Sequence, residues 1–139
     1  MDTPTGNEAG GRRRELRILT AEEVRRALPM KEAIGVMREA FVHLSDGTAS
    51  VPVRRMLSLP AHNGRALFMP AYVPDGAWLG LKAVTIHDDN PARGLPYIQA
   101  LVLLFDAETG QAQALLDGES LTALRTGAAS GLATDLLAR

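Results

Sequence analysis

Apolar positions along this chain recur with two different periods, and each change of period marks an element. Leu16–Leu19 predicts a short strand. Thr20 follows as a helix cap, with Glu23 three residues on, the spacing of a capping box. Pro29 stands where a second helix starts. Ile34, Met37, Phe41 and Leu44 mark that helix's expected buried face, and Gly47 its end. The period then drops to two, predicting strands at 51–59, 66–70, 78–87, 98–105 and 112–116. Asn63-Gly64 is a hairpin signal between the first two, and Asp106 to Gly110 reads as the turn between the last two. Helical spacing returns at the end, where Leu121, Ala128, Ala129, Leu132 and Leu136 form one stripe. Gly127 and Gly131 fall inside that helix and read as sites of close packing. The pattern predicts an α+β fold: a mixed or mostly antiparallel β-sheet flanked by helices and ending in a helix. The run from Ile98 to Phe105 is apolar on both faces, so both sides of the sheet need cover. Three helices can supply one side. A partner subunit or a further domain would supply the other.

Three cations interrupt these apolar surfaces. Arg125 lies within the stripe of the last helix, Lys82 shares a strand face with Val84 and Ile86, and Arg54 shares one with Met56. A buried charge without a partner is costly. Taken alone, Arg125 is equally well explained by a side chain that snorkels to the rim, and Arg54 and Lys82 are better explained as structural. Three of them on three apolar surfaces, with no carboxylate in the same strands, suggest a shared anion. Arginine offers a carboxylate a bidentate fork, and lysine adds a point charge.

The segments VPVRR (51–55), FMPAY (68–72), LGLKAVTIHDDNPARGLP (79–96) and everything from Leu101 to Arg139 carry a resemblance. Particularly specific are Lys82, the Asn-x-x-x-Gly-Leu-Pro of Asn90 to Pro96, the Asp-x-x-Thr-Gly of Asp106 to Gly110, and Leu124-Arg125-Thr126. In these the chain resembles the amino-terminal part of the ornithine cyclodeaminase/mu-crystallin family. The resemblance implies an oxidoreductase or cyclodeaminase of two domains. The first binds a small amino- or imino-acid and forms a homodimer; the second is a Rossmann domain that carries NAD or NADP. It also implies substrate-carboxylate contacts at Arg54, Lys82 and Arg125, with Arg125 also near the nicotinamide. Tyr97 would border the cofactor, although the family usually has a small hydroxyl residue there. No residue of the chain matches the family's catalytic acid, so no catalytic residue is assigned.

A dinucleotide site needs a glycine-rich turn from strand to helix. The 139 residues contain no G-x-G-x-x-G. The expectation is therefore a tail at 1–15 and a substrate-binding and dimerisation domain at 16–139, with the NAD(P)-binding domain missing or supplied by a separate chain. The expected function is the substrate-binding half of an NAD(P)-dependent amino-acid or imino-acid oxidoreductase or cyclodeaminase, not catalytic on its own. The alternative is a stand-alone module that binds small carboxylates or dimerises. Ornithine-specific relatives carry an acid just before the Met-Pro pair, whereas Leu67 and Phe68 stand before Met69-Pro70 here. A distal ammonium would lie unpaired against them, which favours a small or apolar substrate.

Composition narrows the alternatives. A net charge of −1 gives no reason to expect nucleic acid or an anionic membrane. The chain has no cysteine, hence no thiol nucleophile and no thiolate metal site. His43, His62 and His87 lack metal-ligand spacing, so no metal is expected, and His87-Asp88-Asp89-Asn90 reads as a turn at a strand end. The apolar runs are too short to span a bilayer, and the first fifteen residues, read as a disordered tail, lack the apolar core of a secretory leader. A cytoplasmic location is expected.

Overall fold

The computed structural model describes residues 15–138. The tail expected at 1–15 therefore lies almost entirely outside the described residues. Strand β1 (Arg17–Leu19) leads into α1 (Ala21–Ala27) and α2 (Met30–Ser45). Strands β2 (Arg55–Leu59), β3 (Gly64–Val73), β4 (Trp78–His87), β5 (Ile98–Asp106) and β6 (Ala112–Asp117) follow, and α3 (Gly118–Leu137) comes last. The six strands form one sheet in the order β1-β6-β5-β4-β3-β2. All neighbours are antiparallel except β1 and β6, which run parallel. The fold is α+β with a mixed, mostly antiparallel sheet, as the periodicity implies.

Local chemistry sets the boundaries. The capping box forms: the Thr20 hydroxyl accepts from the Glu23 amide, and the Glu23 carboxylate accepts from the Thr20 amide at 2.9 Å. Asn63 adopts φ 43° and closes the β2–β3 hairpin after a 3-10 turn at Pro60–His62. The loop thus has four residues between Leu59 and Gly64, more than a minimal two-residue turn. One Asp106 carboxylate oxygen collects three donors, the Glu108 and Thr109 amides and the Thr109 hydroxyl. These bonds hold the Asp106 carboxyl below its ordinary range, those from Thr109 most strongly. Asn90 is buried and ties its own turn together by donating from Nδ2 to the Pro96 carbonyl at 2.9 Å. The Asn90 to Pro96 pattern is thus a structural turn that delivers Ile98 to the start of β5.

All three helices lie on one face of the sheet. Helix α3 crosses β5 and touches β4 and β6, while α1 and α2 pack against α3. Gly127 and Gly131 make that packing possible: a Cβ at Gly127 would sit 3.2 Å from the Met30 Cε, and one at Gly131 2.9 Å from the Ile34 Cδ1. The other sheet face carries Leu57, Phe68, Leu79 and Leu101, which alternation and register place together, all of them exposed. No helix covers them. Among the described residues no helix is long and apolar enough to cross a membrane.

Three expectations need correction. The strand expected at 51–59 begins only at Arg55. Ser50 pairs with Tyr72 in an isolated bridge, and Arg55 pairs with Phe68. Four residues, Val51 to Arg54, therefore face three, Met69 to Ala71, and the surplus residue lifts the segment off the sheet, as in a bulge. Pro52 has no amide to give a ladder there, and Val53 stands 88% exposed. The strand expected at 66–70 is longer, because β3 pairs with β4 along all ten of its residues. The buried face expected on α2 reaches only as far as Met37. Ile34 and Met37 are half-buried, whereas Phe41 and Leu44 are exposed, Phe41 along an open groove between α2 and the end of α3.

Candidate functional site

Helix α3 covers the β6–β5 side of the sheet and stops over β4, leaving the same face of β3 and β2 open. A cavity of about 590 Å³ results, within the range of small-molecule sites. Leu67 and Met69 of β3, Lys82 and Val84 of β4, and Ile98 and Ala100 of β5 form its floor. The α3 side chains Glu119, Thr122, Ala123, Arg125 and Thr126 form one wall, and Arg54 stands on the far side.

The three cations singled out in the sequence, Arg54, Lys82 and Arg125, all line this one cavity. Register explains the first two. Met69 pairs with Lys82, and Lys82 with Val102, in one row across the sheet. Arg54 lies one residue before the Arg55–Phe68 pair, on the side where Met69 follows. The lifted segment before β2 brings it over the same row.

Arg125 reaches the cavity differently from what the helical stripe implies. Ala128 and Leu132 are buried and Leu121 is half-buried, but Arg125 is exposed and Leu136 is 61% exposed. The buried arc of α3 ends beside Arg125, which therefore stands at the seam between core and cavity. A guanidinium there keeps water access while its stem packs against apolar neighbours.

Among the described residues the ion pairs within 4.0 Å are His43–Asp75 and Arg65–Asp88. Arg54, Lys82 and Arg125 have no carboxylate that close. Glu119, the single carboxylate on the cavity wall, pairs with none of them, so positive charge is in excess. Lys82 is half-buried, and its ammonium donates to the Thr122 hydroxyl at 2.7 Å. Burial lowers the Lys82 pKa, and the nearby Arg125 lowers it further. A bound anion would relieve the second effect and raise it.

Sequence reasoning missed Thr122 and Glu119. The signal available for Thr122 was its position one turn before Arg125 on the cavity side of the helix. Leu67 does line the cavity, whereas Phe68 points to the opposite sheet face, so only the former bears on what binds. Thr126 also lines it, with its hydroxyl donating to the Thr122 carbonyl at 2.8 Å.

Tyr97 does not join the three cations. Its hydroxyl accepts from an Arg65 nitrogen at 3.1 Å, and the side chain is 41% exposed. The turn entering α3 is occupied by its own cap, since Asp117 accepts from the Ser120 amide at 2.8 Å. The described residues hold no glycine-rich turn from strand to helix and so do not fit a dinucleotide pyrophosphate. Nor do they contain a group of three or more His, Asp or Glu side chains able to hold a metal.

A model of the ornithine cyclodeaminase/mu-crystallin family matches residues 14–139. The chain is 42% identical over 125 residues to an alanine dehydrogenase of Archaeoglobus fulgidus, an alignment covering 90% of this chain and 38% of that protein. It superposes with a TM-score of 0.81 and 41% identity on the Delta(1)-pyrroline-2-carboxylate reductase of Thermococcus litoralis in complex with NADH and L-proline, covering 89% of this chain and 38% of that one. An archaeal alanine dehydrogenase dimer with bound NAD superposes with a TM-score of 0.80 at 40% identity, again with 89% and 38% covered. The chain thus spans about 38% of the length of these relatives.

Proposed function

The chain belongs to the ornithine cyclodeaminase/mu-crystallin family, and on that premise we propose that it is the substrate-binding and dimerising part of an NAD(P)-dependent amino-acid or imino-acid oxidoreductase or cyclodeaminase. The observation that carries this reading is the convergence of Arg54, Lys82 and Arg125 on one cavity, with no carboxylate of the described residues within 4.0 Å of any of them. Arg54 and Arg125 offer planar forks and Lys82 a point charge to the α-carboxylate of a small ligand. Leu67, Met69 and Ile98 supply an apolar floor for its side chain or ring, which suits an alanine-like or cyclic imino acid; Glu119 on the wall is the one group that could meet a distal ammonium. The nicotinamide chemistry comes from a Rossmann domain outside these residues, with Arg125 facing it and Tyr97 at its border. The exposed face of Leu57, Phe68, Leu79 and Leu101 is the homodimer surface. A cysteine-free chain of this composition suits the cytoplasm.

The test is calorimetric titration of the purified chain with L-proline and L-alanine. Arg125→Leu removes a charged hydrogen-bonding group worth about 1.5–3 kcal/mol, so affinity should fall by about tenfold to a hundredfold. Arg125→Lys restores charge without the fork and should recover only part of it. Unchanged affinity in Arg125→Leu would refute the site. The chain alone should show no NAD(P)-linked turnover of either amino acid, because hydride transfer needs the nicotinamide held at the substrate carbon. Turnover by the chain alone would refute that part of the reading.

A further inference from the structure

Thr122 stands between the helix backbone and the one lysine of the cavity. Its hydroxyl donates to the Gly118 carbonyl at 2.6 Å and accepts from the Lys82 ammonium at 2.7 Å. A hydroxyl has one proton to give. With that proton committed to Gly118, its lone pairs are turned to Lys82. Thr126, Ser130 and Thr134 make the same bond to the carbonyl four residues earlier, at 2.8, 3.1 and 3.0 Å, yet among the described residues none receives a charged donor. The arrangement at Thr122 therefore does more than satisfy the helix.

We propose that Thr122 is a positioning residue for Lys82: it holds one N–H of the ammonium through a relay anchored on Gly118 and leaves the other two for the ligand carboxylate. The inference rests on the carboxylate-binding reading given above. A lysine side chain has many rotamers, and freezing it only when ligand arrives would weaken binding. Anchoring it beforehand removes that cost. The acceptor also stabilises the charged form, opposing burial and the repulsion from Arg125. The charged groups facing Lys82 across the cavity are Arg54 from the segment before β2 and Glu119 and Arg125 from α3; β3 and β5 present only uncharged side chains there. Thr122 is thus an acceptor held against the Lys82 ammonium in the empty site, and it favours the charged form.

The experiment measures propionate affinity against pH for the wild-type chain, Thr122→Val and Thr122→Ser. Propionate carries no amine, so no group of the ligand titrates in the alkaline range where Lys82 loses its charge. Thr122→Val should weaken binding by about fivefold to tenfold at neutral pH. It should also move the alkaline loss of binding to lower pH, because the charged lysine has lost an acceptor. Thr122→Ser keeps the hydroxyl and should restore both. In a Lys82→Met background Thr122→Val should have no further effect, since the threonine acts through the lysine. Wild-type affinity and pH profile in Thr122→Val, failure of Thr122→Ser to rescue, or a full effect in the Lys82→Met background would each overturn the inference. Should Thr122→Val fail to fold, Thr122→Ala removes the same hydroxyl and carries the same two expectations, with a wild-type affinity and pH profile overturning the role. Arg125→Leu, run alongside, separates the two levels. If it binds propionate as the wild type does, the underlying site is wrong; if it loses binding while Thr122→Val does not, only the role of Thr122 is wrong.

Discussion

Gly118→Ala is the smallest change that should disturb both the fold and the cavity. Gly118 opens α3 and lies against the backbone of β5. A Cβ there would be 2.7 Å from the Ala100 carbonyl carbon and 2.8 Å from both the Ala100 Cβ and the Leu101 nitrogen. Ordinary carbon contacts sit near 3.5–4.0 Å, so the start of α3 must retreat by roughly 1 Å. Two of the three obstacles are backbone atoms in a paired strand, which cannot rotate aside. Overpacking of this kind costs about 1–3 kcal/mol, and the upper part of that range applies. The lower chain entropy of alanine returns about 0.4–1 kcal/mol. The net loss is about 2 kcal/mol, which for a domain of this size lowers the melting temperature by roughly 6–12 °C. Because the Gly118 carbonyl anchors Thr122, propionate binding should weaken as well. Thermal unfolding followed by circular dichroism, with propionate titration well below the transition, reads both effects. A melting temperature within about 2 °C of wild type would refute the close approach of α3 to β5.

Further outcomes follow from other parts of the fold. Phe68→Asp and Leu101→Asp, on the uncovered sheet face, should convert a homodimer to a folded monomer by light scattering; a monomeric wild type, or dimers in both variants, would contradict the proposed interface. Asp117→Ala removes the cap on α3 and should cost about 1 kcal/mol at neutral pH. The Asp117 carboxyl is held below its ordinary range, first by the Ser120 side chain and then by its amide. A carboxyl with a depressed folded-state pKa stabilises above the ordinary carboxylate value and loses that contribution as pH falls through the depressed one. The stability gap between wild type and Asp117→Ala should therefore narrow below about pH 4, and an undiminished gap in acid would show that the carboxylate is not the cap.

Much of this architecture is legible in the residues, and the failures have physical causes. Trp78 to His87 is a long apolar run rich in Leu, Val and Ile and forms β4 with those bounds. Thr20 with Glu23, Asn63, and Asp106 with Thr109 announce their turns because each carries the chemistry that closes them. Val51 to Arg54 alternates and is not strand, because the surplus residue in that segment becomes visible only once the partner strand's register is known. The exposure of Phe41 and Leu44 is invisible to helical period, since period gives a face and not what lies opposite it. The candidate site shows the same division. Arg54, Lys82 and Arg125 stand out as cations in apolar company, whereas Thr122 looks like any helix threonine until the sheet brings Lys82 beside it. Tyr97 shows the converse, because its place in the sequence gives no sign of the Arg65 side chain that takes its hydroxyl.

A crystal structure of the chain soaked with L-proline tests the central claim most directly. The carboxylate should lie between Arg54, Lys82 and Arg125, with its oxygens about 2.7–3.2 Å from their nitrogens and the ring against Leu67 and Met69. A carboxylate bound elsewhere, or one in this cavity that leaves Arg125 and Lys82 without contact, would contradict it.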